Sequence, residues 1–127
     1  MADSRKVYLD ANAVLRYVLK DNEEQFNIVK ECIDQCYCVV PLEVMAEVAY
    51  VLEGVYSVPR NVVSSLFRKL ACELLIVNQD VLFRALEIYD ESPKLDFVDC
   101  LMYGYHVARN VDVLTFDKKL LKKIDLL

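Results

Sequence analysis

Glycine and proline are scarce in this chain, at two and three residues, and tryptophan is absent. So few chain breakers leave no room for a linker or a low-complexity tract, and no internal repeat is visible. Long hydrophobic runs are missing too. None approaches the roughly 20 apolar residues of a membrane span, and the run after Lys6 is too short for a secretory signal. Positive charge is in the minority: 15 Lys and Arg stand against 20 Asp and Glu, a net charge of −5. A bulk field of that sign does not invite nucleic acid, which counts against a simple DNA-binding module. Any polyanion has to be held by a local patch or through metal ions. Histidine is nearly absent; His106 is the only one, well inside a helical run, and it reads as a core or surface side chain rather than a catalytic base.

What is present points to one compact domain over residues 1–127, soluble and cytoplasmic, with no membrane association. Five cysteines, an odd number without a signal peptide, argue for reduced thiols rather than a disulfide framework. Cys32, Cys36 and Cys38 are spaced C-x3-C-x-C and lack the second ligand pair of a zinc knuckle. They read as small buried hydrophobes.

Short apolar runs alternate with helical patterns along the chain. Lys6–Leu9, Tyr37–Val40, Leu74–Val77 and Val111–Thr115 read as strands, with a fifth at Ile124–Leu126. Between them, Ala13–Leu19, Glu24–Gln35, Leu42–Val55, Arg60–Ala71, Asp80–Tyr89 and Asp96–Arg109 have apolar residues at helical spacing, and a lysine-rich helical turn follows Asp117. Asp21-Asn22 supplies a turn and a cap, and Pro41 and Pro59 suit helix starts. Strands of four or five residues separated by helices predict an α/β fold whose parallel sheet is reached through βαβ crossovers, with helices on both faces. Ligands in such sheets sit beyond the carboxyl ends of the strands. Asp10 lies at one such end and Asp117 just past another.

Each acid also has a mundane use. Asp10 can cap the helix after it, Asn12 can serve the same turn, and Asp117 can cap the last helix. Asp96 and Asp99 are spaced as a capping box, which covers Asp96 well and Asp99 poorly, since the third position prefers the longer Glu or Gln. Glu43 falls in a first helical turn, where the dipole favours it. Glu47 is harder to dismiss, because apolar residues surround it on nearly every face of its helix and a glutamate there wants a partner. Carboxylates gathered in one pocket repel one another unless a divalent cation neutralises them, and hard oxygen ligands select Mg²⁺ or Mn²⁺. Such an ion suits phosphoryl hydrolysis, and no histidine or cysteine nucleophile competes as an explanation.

The order "YLDAN", "MAEVAYVL", "LDFVDCLMYGY" and "VDVLTFD" resembles the PIN domain family, and especially its VapC-type toxin ribonucleases. The resemblance covers nearly the whole chain. It implies a three-layer α/β/α sandwich around a short parallel sheet of four or five strands, and metal-dependent RNA cleavage that leaves a 5′-phosphate and a 3′-hydroxyl. By position, Asp10, Glu47, Asp99 and Asp117 match the family's catalytic, metal-binding acids, with Asn12, Thr115 and Asp96 in support. Ala11 departs from the pattern, where threonine or serine is frequent. Asn110 replaces a common glycine but tolerates the same left-handed turn. Lys118 and Lys119 are placed to grip RNA phosphates, against the blander reading of a solvated helix face. The resemblance also implies an antitoxin protein with a basic residue inserted among the acids, and the apolar helices at Leu42–Val55 and Arg60–Ala71 suggest a homodimer. The competing readings are a PIN-type module with little turnover that binds protein or RNA, and a receiver- or phosphatase-like domain. The last fits worse, because Asn12 stands where an aspartyl phosphatase wants an acid.

Overall fold

Three short runs rich in β-branched and aromatic residues pair in parallel: β1 (Lys6–Tyr8), β2 (Tyr37–Val40) and β3 (Leu75–Ile76), in the order β1-β2-β3. They are seen in a computed structural model that describes residues 5–125. Val7 lies opposite Cys38 and Tyr8 opposite Val39, while Val39 and Val40 lie opposite Leu75 and Ile76. The central strand is the buried one. Parallel neighbours need long crossovers, and helices supply them. Helices α1 (Ala11–Leu19) and α2 (Glu23–Gln35) link β1 to β2, and α3 (Leu42–Gly54) and α4 (Arg60–Glu73) link β2 to β3. Helices α5 (Gln79–Glu91), α6 (Phe97–Arg109) and α7 (Lys118–Asp125) complete the α/β fold expected from the sequence.

Local chemistry sets the helix ends. The Asn22 side chain accepts from the Gln25 N–H at 3.0 Å and starts α2. Pro41 and Pro59 each stand in extended conformation just before a helix, where the missing N–H costs nothing. Asn110 ends α6 in the left-handed region at φ 53°, as its side chain permits.

The strand count is where the chain departs from expectation. Among the described residues the sheet has three strands, and the run 111–115 makes no ladder. One carbonyl a neighbouring strand would need, that of Val111, is taken instead by the His106 ring at 2.7 Å. Leu114 is 90 % and Phe116 94 % exposed. Ile124 and Asp125 belong to α7, and the rest of the expected fifth strand lies outside the described residues.

The core joins both halves of the chain. Met45, Val48, Ala49 and Leu52 of α3 and Val81, Leu82, Ala85 and Leu86 of α5 are buried. The rings of Phe67 and Tyr89 meet Phe97 edge to face, each at 5.5 Å between centroids, so one aromatic cluster holds α4, α5 and α6. Arg60 stacks 3.8 Å over the Tyr89 ring and donates to the carbonyls of Tyr89 and Ser92 at 3.0 and 3.3 Å.

Helices α5 and α6 approach most closely at Gly104, where a Cβ would stand 2.5 Å from the Val81 carbonyl oxygen. That oxygen is backbone and cannot swing away. Gly104→Ala is therefore expected to destabilise the fold by about 2 kcal/mol, overpacking outweighing the gain in helix propensity. Gly54 has nothing within 4 Å of an added Cβ, so Gly54→Ala should stabilise by about 0.5 kcal/mol. Urea unfolding of the two variants checks the opposite signs.

Candidate acidic active site

The carboxyl ends of the strands lead into the candidate acids. Leu9 still bonds to the sheet, its N–H donating to the Val39 carbonyl at 3.0 Å, and the chain then turns at Asp10 into α1. The Asp10 carboxylate accepts from the Ala13 N–H at 2.8 Å, so its capping role is realised. One oxygen is used, and among the described residues the other has no hydrogen-bond partner. Asn12 is exposed in the first turn, and Ala11 is buried in the core, where a hydroxyl would need a partner.

At the start of α6 the capping box expected to suit Asp99 poorly is closed. The Asp96 side chain accepts from the Asp99 N–H at 2.8 Å, and the Asp99 carboxylate accepts from the Asp96 N–H at 3.3 Å. The shorter side chain reaches, on a longer bond. Asp117 begins α7 and accepts from the Lys119 and Leu120 N–H groups at 2.9 and 3.3 Å. Thr115 fixes it from behind: its hydroxyl accepts from the Asp117 N–H at 3.0 Å.

Electrostatics tie three of these carboxylates together. Burial raises the Asp99 carboxyl above its ordinary value of 3.8, and the charges of Asp96 and then Asp117 raise it further. The Tyr50 phenol of α3 is raised by burial and by the charges of Asp96 and Asp99. Among the described residues, neither Lys nor Arg forms an ion pair with any of these acids. Glu47 sits elsewhere than expected. It is exposed rather than held among apolar side chains, and it shares an open groove of about 570 Å³ with Glu43, Tyr50, Val98 and Met102. Tyr50, three residues on along α3, connects Glu47 to the Asp96–Asp99 neighbourhood; helical spacing from Glu47 is the sequence signal that leads to it.

Among the described residues, no three Asp, Glu, His or Cys side chains lie close enough to hold a metal ion as they stand. The donor chemistry nonetheless fits a hard divalent cation: oxygen atoms only, unneutralised, with Asp99 crowded by like charge. Asp10, Glu47, Asp99 and Asp117 are the residues that would hold it.

Lysines flank this region. Lys119, Lys122 and Lys123 of α7 line a cavity of about 330 Å³ with Lys94, a residue that no sequence motif marks. Lys118 is exposed outside that lining. His106 is spent on structure, its Nδ1–H donating to the Val111 carbonyl.

A carboxyl raised in the folded state binds its proton more tightly there than in the unfolded chain, so its ionisation weakens folding as pH climbs through the folded value. Asp99→Asn keeps an oxygen for the box and removes the charge. Its Tm at neutral pH should exceed the parent's by roughly 2 °C, and the gain should vanish as pH falls below the folded-state value of Asp99. Thermal unfolding between about pH 3.5 and 7.5 measures both.

A family model described as PIN domain matches residues 7–126, a span holding every acid named above. Comparison with curated proteins and with solved structures gave no match. The PIN fold is of the nuclease type, and its members generally use divalent metal ions. On the strength of that match, across a parallel α/β sheet with acids beyond its strand ends, the chain belongs to the PIN domain family.

Proposed function

We propose that this PIN domain is an endoribonuclease that hydrolyses RNA phosphodiester bonds with Mg²⁺ or Mn²⁺, and that it works in the cytoplasm as the toxin of a toxin–antitoxin pair. The observation that carries the reading is Asp99, half-buried beside Asp96 and Asp117 and, among the described residues, in no ion pair with Lys or Arg. Capping accounts for the place of these acids but leaves the repulsion among them unrelieved, which a bound divalent cation would relieve. Asp10, Glu47 and Asp99 would hold the ion, with Asp117 completing the site or serving a second one. The ion supplies charge neutralisation on the phosphodiester and a more acidic water. Asp96 and Thr115 hold Asp99 and Asp117 in place, and Lys119 faces flanking phosphates.

The partners follow from the same surface. A cationic antitoxin segment suits the unneutralised acids, and the half-exposed side chains of Tyr50, Val98 and Met102 beside Glu47 suit either that segment or a second copy in a homodimer. One observation favours a second reading, a PIN-type module with little turnover that binds protein or RNA: Asp10, Asp96 and Asp117 all cap helices, and the acids are not gathered tightly enough for a metal as they lie.

Incubation of a mixed RNA pool with the protein and Mn²⁺ separates the two. Cleavage that leaves 5′-phosphates, stops with chelator, and falls about 100-fold or more in Asp10→Asn and Asp99→Asn supports the nuclease. Parental cleavage by Asp99→Asn removes it. RNA held but uncut by the parent at every metal concentration supports the module.

A further inference from the structure

The three clustered cysteines are not used by the acidic site, and the fold treats them unequally. Cys32 lies in the last turn of α2, Cys36 directly after that helix, and Cys38 in β2 opposite Val7. The Cys38 thiol donates to the Cys32 sulfur at 3.5 Å. Cys38 is buried at 3 % exposure, whereas Cys32 and Cys36 are partly open and line a surface cavity of about 310 Å³ with Ile28, Glu31 and Gln35. Arg5 borders the same cavity and donates to the Cys36 sulfur at 3.5 Å. Hence one sulfur of the close pair can be reached from solvent and the other cannot. A disulfide needs the two sulfurs about 2.05 Å apart, so the pair at 3.5 Å must close by about 1.5 Å, a movement within side-chain rotation.

We propose that Cys32 and Cys38 form an oxidative modification site, in which a low-molecular-weight disulfide converts the thiol pair to an intramolecular disulfide. The Cys32 thiolate attacks one sulfur of the small disulfide, forming a mixed disulfide and releasing one small thiolate. The Cys38 sulfur, after losing its proton, then attacks the Cys32 sulfur and expels the second small thiolate. The protein loses two protons and two electrons; the small disulfide gains both and leaves as two thiols. Burial, the hydrogen bond to Cys32 and neighbouring thiol charge push the Cys38 thiol up to about 12. Cys38 is buried while Cys32 lines the surface cavity, so the small disulfide meets Cys32 first, which orders the two steps. In a reducing compartment the resting state is the dithiol.

The bridge would staple the end of α2 to β2 across a seven-residue ring, counting Cys32 to Cys38 inclusive. It lies towards the amino end of β2, while the acids follow the carboxyl ends of the strands. Its formation can therefore be read without any nuclease assay.

Incubate the folded protein with oxidised glutathione near pH 8, alkylate, and map by mass spectrometry after cleavage before Asp34 and after Tyr37, which puts the three cysteines on separate peptides. The expected product joins the Cys32 and Cys38 peptides, forms equally in Cys36→Ser, is absent in Cys32→Ser, and raises Tm by about 5 °C until dithiothreitol is added. Exposed Cys72 serves as the internal control that keeps its glutathione adduct. A lasting adduct on Cys32 with Cys38 still alkylatable, a bridge through Cys36, or no reaction at Cys32 while Cys72 is modified would each overturn the proposal. None of these outcomes needs a substitution at buried Cys38, where a change of side chain risks the fold itself.

Discussion

The reciprocal pair of hydrogen bonds between Asp96 and Asp99 is the constraint on which the candidate site depends. It satisfies two N–H groups at the start of α6 and so fixes where that helix begins. With the start fixed, the Asp99 carboxylate stands within reach of the Asp96 and Asp117 charges and of Tyr50 on α3. The same atoms carry structure and charge. The pattern extends to Asp10 and Asp117, each of which begins a helix with one carboxylate oxygen and, among the described residues, leaves the other without a hydrogen-bond partner. A helix start favours negative charge through its dipole, so the fold stabilises these acids where they sit even though they repel one another. Amide substitution removes the charge and keeps a capping oxygen; truncation to alanine removes both. Only the former isolates the electrostatic role.

Such a site needs rigid support, because a three-stranded sheet with two- to four-residue strands buries little by itself. Support comes from behind. The contact of α5 with α6 at Gly104 and the Phe67–Phe97–Tyr89 aromatic cluster hold the helix that carries Asp99. Arg60 locks the turn after α5 by donating to Tyr89 and Ser92, just ahead of the cap at Asp96. The core residues and the acids are thus consecutive along one mechanical path: a shift in α5 packing moves the start of α6, and with it the spacing of the carboxylates.

Most of this architecture is legible in the sequence because helical spacing, caps and prolines are local signals. Every helix expected from periodicity is present, with ends displaced by at most two residues (Ala11 rather than Ala13, Glu73 rather than Ala71). The departures depend on side-chain geometry that composition and spacing do not encode. Val111–Thr115 has strand composition, but His106 takes one of its carbonyls and the run finds no ladder. Glu47 reads as buried because its helix is apolar on most faces, yet its own face opens onto a groove. Tyr50 is marked only by its helical spacing from Glu47 and Lys94 by no motif, because the approach of α3 and α7 to the start of α6 is what gives them meaning. Side-chain length makes Asp99 a poor box residue on paper, whereas the backbone closes the gap with a 3.3 Å bond.

Charge on this chain is unevenly distributed. A net charge of −5 repels a polyanion at long range, and the acids at the strand ends deepen that repulsion locally. Lys94, Lys119, Lys122 and Lys123 gather on one cavity instead of being spread over the surface, and among the described residues none is tied up in an ion pair. Screening within a Debye length of about 8 Å makes such a local patch count for more than the net charge of the whole chain. It lies beside the beginning of α6, with only Leu95 separating Lys94 from Asp96. The arrangement puts attraction for phosphate next to carboxylates that also serve as helix caps, so one end of the fold carries both signs of charge side by side.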